Sequence, residues 1–321
     1  MTQPTARVRM PSVASVEDVA ALEGRICQPE DWDLLLGAGS PPTRVYAAGG
    51  QLVAVYLPAV LAGTGPFVGA YGALHELRKR TSDNRGNYAI TAKKDWQGEG
   101  RAWDGKRYRN VNPDGTLSRS TRAATVASSI VGYFGRDGRF KYCRETAYTA
   151  QDPAGWKTIV PLCSAVHGLM RQHVKRRCLA QERFVGKIPS AYTIADTPFT
   201  TLTVNNSVSA GYHFDAGDYR PGFGAMTYYR RGEYTGGELC FPRHRFAIDA
   251  QEGDVIFFDP HEMHGMPPME GVGPKMSPAE GGWERISVVL YARANMSKCL
   301  PLNRELARAR RRAEELAERP L

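Results

Sequence analysis

No run of about 18 consecutive apolar residues occurs in the 321-residue chain, so no membrane-spanning helix is expected. The longest apolar stretch, 52–68, is broken by proline and glycine and reads as strand and turn. A basic-then-apolar N-terminal pattern is missing, so no secretory signal is expected. The six cysteines, Cys27, Cys143, Cys163, Cys178, Cys240 and Cys299, form no C-x-x-C pair and no zinc spacing. Scattered in this way, they are expected to be reduced thiols in an intracellular, reducing compartment. Gly-x-Gly fragments lack the strand-then-helix context of a phosphate loop and read as turns. No internal repeat is present.

Acidic residues are in deficit, 33 against 42 Lys and Arg, for a net charge of +9. The excess is local: from Arg78 through Arg144 there are 16 Lys/Arg against 6 Asp/Glu. Tyr88, Trp96, Trp103, Tyr108, Tyr133, Phe134 and Tyr142 are interleaved with these charges. Such a stretch can neutralise phosphates while its aromatic rings stack on bases. The plainer reading is a solvated loop around a few core aromatics. Residues 81–120, polar and glycine-rich, read as a long functional loop.

With 42% hydrophobic residues the chain can bury a full core. Short apolar segments with turn signals between them run from Phe199 to Ala294: Thr200 to Asn206, Ala225 to Tyr229, Glu238 to Phe241, Arg245 to Asp249, Val255 to Phe258 and Ile286 to Tyr291. This spacing describes an antiparallel sandwich or barrel rather than alternating strands and helices. Apolar residues at helical spacing from Gly155 to Arg177 predict a buttressing helix, and Leu302 to Arg319 predict a solvated, basic terminal one.

Within the strand series sit His213 and Asp215, two residues apart and thus on one face of an extended segment. A third ligand is available in His264, with His261 as its rival three positions earlier. Strand parity separates those two histidines, placing His261 where it could orient a ligand. Two imidazoles and a carboxylate leave about half of an octahedral metal's positions open, the triad of non-haem Fe(II) oxygenases. Arg285, at the start of the last strand, can hold a dicarboxylate co-substrate by a two-pronged hydrogen bond, and Ser287 can add a hydroxyl. Asn205 has two readings, an approach to the co-substrate or a strand-pairing asparagine. By period-two alternation Arg293 shares the face of Arg285 and Ser287.

Thr203-Val-Asn-Asn, His213-Phe-Asp, Gly236-Gly-Glu-Leu-Cys-Phe-Pro, Gly253 to Gly265 and Arg285-Ile-Ser together resemble the 2-oxoglutarate oxygenases, and among them the TET/JBP group. That resemblance covers about a third of the chain. It implies an α+β fold with a double-stranded β-helix (jelly-roll, cupin-like) core, flanking helices and here an N-terminal basic extension. It further implies Fe(II) as metal, 2-oxoglutarate as co-substrate, and a methyl of a 5-methylpyrimidine in DNA as the group oxidised, 5-methylcytosine first and thymine second. The base would be flipped into the site. Asp218, three residues past the metal Asp, would bond the exocyclic amine of cytosine, and Tyr291 would stack on the ring, with Arg293 at the base edge. An ordinary loop turn for Asp218 and core packing for Tyr291 remain open. One departure is the 21-residue step from His264 to Arg285, longer than the family pattern, which reads as a loop inserted over 271–282.

The expected organisation is a basic, nucleic-acid-facing region over 1–150, the oxygenase core over 151–300 and a basic helix over 301–321. DNA is the expected partner; no membrane or protein partner is expected. Rival readings are a hydroxylase of protein side chains or small molecules on the same core, and a non-catalytic binding module.

Overall fold

The computed structural model describes residues 5–82, 89–90, 101–103, 108–110, 116, 126–138, 140–271 and 282–318. Strands are numbered in chain order. The larger sheet runs, neighbour to neighbour, β1 (Ala6–Met10), β3 (Thr43–Ala47), β4 (Leu52–Leu57), β16 (Val255–Phe258), β12 (Gly224–Arg231), β19 (Glu284–Tyr291), β10 (Thr201–Asn206), β8 (Ser128–Phe134) and β9 (Arg144–Glu145). The smaller one runs β2 (Leu34–Leu36), β15 (Phe246–Ile248), β14 (Leu239–Phe241), β17 (His264–Met266), β11 (Ser209–His213) and β5 (Ala89–Ile90). Two short pairs stand apart, β13 (Tyr234–Thr235) with β18 (Glu270–Gly271), and β6 (Arg101–Trp103) with β7 (Tyr108–Asn110). The helices are α1 (Val16–Ala20), α2 (Gly65–Glu76), α3 (Ala147–Gln151), α4 (Pro153–His173), α5 (Lys175–Val185) and α6 (Leu302–Ala317).

Alternation along the central strands builds two cores at once, because successive side chains leave opposite faces of a sheet. Ile286, Val288 and Leu290 of β19, Val255 and Phe257 of β16, and Leu202 and Val204 of β10 pack under α2 and α4. The other face meets the smaller sheet: Tyr56, Met226, Tyr228, Ile256 and Phe258 interlock with Leu239, Phe241, Phe246 and Ile248. Two facing sheets with helices on one side form the α+β double-stranded β-helix that the sequence implied.

The strands contributed by residues 6–57 enter both sheets. β4 pairs with β16 and β2 with β15, so the sheets extend on both sides of the expected boundary at 150. At the β15–β16 turn Gly253 takes φ +73°, and a Cβ there would sit 2.3 Å from the Ala62 nitrogen. The next residue, Asp254, is buried and accepts from Tyr56 Oη (2.8 Å), the Ala59 amide (2.7 Å) and the Gln251 amide (2.7 Å).

Three expectations need correction. The helix expected over 155–177 breaks at Val174 (φ −133°, ψ 44°), and α5 restarts at Lys175 with its Lys-Arg-Arg run at an N-terminus. Nor are all cysteines free thiols. Cys143 and Cys299 are disulfide-bonded, their Cα atoms brought within 5.7 Å by the fold, while Cys27, Cys163, Cys178 and Cys240 are buried and free. Third, Tyr133 is a core aromatic rather than a base platform, edge-on to Trp156 (6.5 Å) and Tyr192 (6.3 Å). Much of the basic stretch, including Tyr88 and Trp96, lies outside the described residues, as does most of the 271–282 insertion. α6 matches its expected span. Its buried Glu305 accepts from Arg136 Nη2 (2.5 Å) and from the amides of Cys143 (3.2 Å) and Leu300 (2.8 Å).

The helix-backed core predicts a contrast between two truncations. Phe257→Ala empties a fully buried position and should cost about 3–5 kcal/mol. Val68→Ala, at a position 61% exposed, should stay within about 0.5 kcal/mol of wild type. Urea denaturation of both variants checks the pair.

Candidate active site

The inward face of the double sheet carries the chemistry. β11 and β17 pair with His213 directly opposite His264, their rings 4.5 Å apart. The chain leaves the strand after His213, and the Asp215 amide donates to the Pro260 carbonyl (2.9 Å). That anchor turns the carboxylate towards both imidazoles, Oδ1 at 3.9 Å from His213 Nε2 and Oδ2 at 3.4 Å from His264 Nε2. The three ligand atoms all lie within 4.8 Å of one another.

Each histidine is fixed through its other nitrogen. Nδ1 of His213 donates to the Gly211 carbonyl (2.8 Å), and Nδ1 of His264 to that of Glu262 (2.9 Å). A carbonyl can only accept, so both rings carry their proton on Nδ1 and turn an Nε2 lone pair towards Asp215. Burial, and then His264, lower the pKa of His213. Burial also opposes the charge on Asp215, but His264, His213 and His261 overcome it and hold the carboxyl at about 2. For His264 burial is outweighed by Asp215, and the net direction is up. Three converging acceptors thus call for positive charge at their centre, which a divalent cation meets. The donor set fits Fe(II).

His261 lies outside this cluster, its Nδ1 3.4 Å from Asp259 Oδ1. Phe214 departs from strand parity. As the residue between two ligands it should point away, yet β11 ends at His213 and Phe214 lines the same cavity.

That cavity, about 430 Å³, is bounded by the three candidate ligands together with Asn205, Asp218, Tyr291 and Arg293. Arg285 and Ser287 do not line it; they lie behind lining residues, Arg285 against Met266 and Ser287 against Asn205. Arg285 is 2% exposed; its Nη2 donates to the Gly237 carbonyl (2.9 Å), Nη1 lies 3.4 Å from Met266 Sδ, and the guanidinium covers the Tyr228 ring at 4.5 Å. Among the described residues no carboxylate is in ion-pair contact with it; the one its charge reaches is Glu238, whose pKa burial raises and Arg285 lowers. A buried cation without a close counter-ion is costly, and a dicarboxylate entering past Met266 would supply one. Ser287 is linked to the cavity through Asn205, whose Nδ2 donates to it (3.4 Å) and whose Oδ1 accepts from Ser128 (2.5 Å). Asn205 pairs across the strands, as one of its two readings had it, and also lines the cavity.

At the other end, Asp218 and Arg293 face each other as an antiparallel bridge. Burial, then the Asp215 charge, push the Asp218 carboxyl up, and Arg293 opposes them. The Arg293 guanidinium rests 4.2 Å over Phe134, so this aromatic of the basic stretch supports a cavity residue. Tyr291 is largely buried and shares a hydrogen bond with Thr203 (3.1 Å). Ser128 and Phe214 were not singled out from sequence. Ser128 carries no motif, and only its pairing with Asn205 across β8 and β10 reveals it.

Replacing any one of His213, Asp215 or His264 with Ala should abolish succinate production from 2-oxoglutarate, whereas His261→Ala should retain turnover. Arg285→Ala should raise the apparent 2-oxoglutarate KM by at least about tenfold, since a charged hydrogen-bonded pair contributes roughly 1.5–3 kcal/mol. Succinate quantified across a 2-oxoglutarate titration reads both. Normal turnover by His264→Ala with loss in His261→Ala would reverse the ligand choice.

Residues 129–294 match the family described as the oxygenase domain of the 2OGFeDO superfamily, Tet_JBP. The chain is 29% identical over 191 residues to thymine dioxygenase JBP1 of Trypanosoma brucei brucei, covering 59% of this chain and 22% of that protein. It is 30% identical over 196 residues to thymine dioxygenase JBP1 of Leishmania braziliensis, covering 60% and 22%. The chain therefore spans about a fifth of the length of these relatives. Among solved structures it is similar to NgTET1 in complex with 5mC DNA (14% identity, TM-score 0.46, 86% of this chain and 90% of that one). A 2OG-Fe(II) oxygenase family oxidoreductase from Burkholderia pseudomallei follows (16%, TM-score 0.37, 75% and 86%). Because the family match takes in more than half of its residues, this chain belongs to the TET/JBP oxygenases, dioxygenases that use Fe(II) and 2-oxoglutarate.

Proposed function

We propose that this chain oxidises the 5-methyl group of a pyrimidine base in DNA, with 5-methylcytosine preferred. The observation that carries the reading is the Asp218–Arg293 pair, set in the same cavity wall as Tyr291 and the His213–Asp215–His264 cluster. The names of the relatives, thymine dioxygenases, support a 5-methylpyrimidine substrate and favour thymine, so the preference for 5-methylcytosine rests on Asp218 and Arg293 alone.

His213, Asp215 and His264 would hold Fe(II), and Arg285 with Ser287 would hold the far carboxylate of 2-oxoglutarate. Once bound, the two supply an oxidant able to attack a C–H bond. The chain's own residues position the substrate. A methyl inside a duplex is out of reach, so the base must be flipped. Tyr291 presents a ring to it, while Asp218 and Arg293 present an acceptor and a donor to its edge. The charge on Asp218 decides its preference. A cation held by Asp215 would remove the second pressure raising the Asp218 pKa; burial, the larger one, remains and is opposed by Arg293, so the preference requires Asp218 in its ionised form. A carboxylate accepts from the N4 amine of 5-methylcytosine and repels the O4 of thymine. The mismatched base leaves buried polar groups unpaired, the kind of penalty that gives strong discrimination.

The basic residues between Arg78 and Arg144 would take the phosphates on either side of the flipped base. In this organisation residues 1–150 supply the basic, nucleic-acid-facing stretch together with strands of both sheets, residues 151–300 the rest of the oxygenase core and 301–321 a basic helix.

Base choice is tested by incubating DNA that contains both 5-methylcytosine and thymine with Fe(II), 2-oxoglutarate and the protein, then measuring hydroxymethylated nucleosides by mass spectrometry. 5-Hydroxymethylcytosine should dominate, and Asp218→Asn should narrow the ratio. Equal or greater oxidation of thymine by the wild type would overturn the preference and leave the dioxygenase reading standing.

DNA affinity should fall about a thousandfold between roughly 50 and 200 mM salt if some six phosphates are neutralised. Fluorescence anisotropy with a labelled duplex measures this. A flat salt response would favour a protein or small-molecule substrate instead.

A further inference from the structure

A second cluster of ligand atoms lies on the helical side of the larger sheet, away from the cavity. His167 of α4 and Cys178 and Glu182 of α5 bring one nitrogen, one sulfur and one carboxylate oxygen within 4.8 Å of one another. The break at Val174 makes this possible. It returns α5 along α4, so that Cys178 and Glu182, four residues apart and therefore on one face, meet His167.

The orientation of His167 is the informative detail. Its Nδ1 lies 3.0 Å from the carbonyl of Asp196, a residue at φ +55°. Because the carbonyl only accepts, Nδ1 carries the proton and Nε2 turns its lone pair towards the cluster. There it meets Glu182 Oε1 at 2.7 Å. Two acceptors at that separation require a cation between them, either a proton or a metal ion. The third member favours the metal. Cys178 is fully buried and its thiol donates to the same Oε1 (3.6 Å). Burial and Glu182 push its pKa up to about 12, so a metal must displace that proton, after which sulfur, imidazole and carboxylate make a donor set for zinc. The side chains of His167 and Glu182 are 15% and 25% exposed, which leaves an outer side for a water as fourth ligand. Arg171, which also reaches Glu182 Oε1 (3.2 Å), is 62% exposed and can swing into solvent.

We infer that His167, Cys178 and Glu182 form a second divalent-metal site, of zinc type, that clamps α4 to α5. Binding releases the thiol proton to solvent and forms metal–sulfur, metal–nitrogen and metal–oxygen bonds, with no change of oxidation state. The site needs neither DNA nor the oxygenase cycle.

Cobalt(II) added to the wild-type protein tests the inference without interference from the first site, because His213, Asp215 and His264 offer no sulfur. The expected result is a near-ultraviolet thiolate-to-cobalt charge-transfer band saturating at one equivalent. It should be lost in Cys178→Ser and His167→Ala and retained in His213→Ala. Zinc should raise the Tm of His213→Ala and not that of the same variant carrying Cys178→Ser. No band in the folded wild type, or a band that survives Cys178→Ser, would overturn the site.

Discussion

Everything in this molecule depends on the two-residue period of the strands at the centre of its larger sheet. β10, β12, β16 and β19 are covered on both faces, so none can be tuned for one face alone. On β19 the series Ile286, Val288, Leu290 lies in the helix-backed core, and the series Arg285, Ser287, Val289, Tyr291 is left for the interior. A one-residue slip would exchange these sets, putting a guanidinium under the helices and isoleucine in the pocket. Hydrophobic burial on one face therefore fixes the register of the chemistry on the other.

The interior face shows how the candidate site meets the electrostatic cost of its charges. Asp215 is held ionised by the two imidazoles around it, and each imidazole is aimed by a backbone carbonyl from its own strand region. Arg285 is treated differently. It receives a carbonyl, an aromatic face and a sulfur, all weaker than a carboxylate. One buried charge is satisfied by close opposite charge, and the other has only these weaker contacts and the more distant Glu238. That asymmetry follows from the wall itself, independently of any sequence motif.

Much of this was legible in the sequence, for an identifiable reason. His213, His264 and Arg285 sit in short strands whose alternation can be read directly, whereas Asp215 lies past the end of β11 and is brought to the imidazoles by its amide bond to Pro260. The same rule was applied to His261, but that residue lies in the turn before β17, where alternation does not operate. Alternation failed at Phe214, because a strand end is not visible in side-chain spacing and the chain turns immediately after His213. The break at Val174 was hidden for a similar reason: no glycine or proline marks it, and the apolar spacing continues across it. The Cys143–Cys299 bond joins positions 156 residues apart, a proximity only the completed fold creates. Phe134 and Ser128 reach the cavity through their neighbours Arg293 and Asn205, contacts that spacing alone does not encode.

The segment that matches the family, 129–294, is not a self-sufficient sheet. β16 needs a partner on its outer edge, and β4 supplies it through four residue pairs from Val255↔Leu57 to Phe258↔Ala54. Tyr56 of that strand also donates to Asp254, buried at the turn that begins β16. Without β4 the edge would expose unpaired amides beside an apolar run, and Asp254 would lose two of its three donors, Tyr56 Oη and the Ala59 amide. α2 adds the remaining cover, Phe67 stacking on Tyr229 at 3.9 Å and the Tyr229 hydroxyl donating to the Phe67 carbonyl. Residues before the family match thus hold in place the strand that leads to His264, and the site inherits its geometry from outside the segment by which the family is defined.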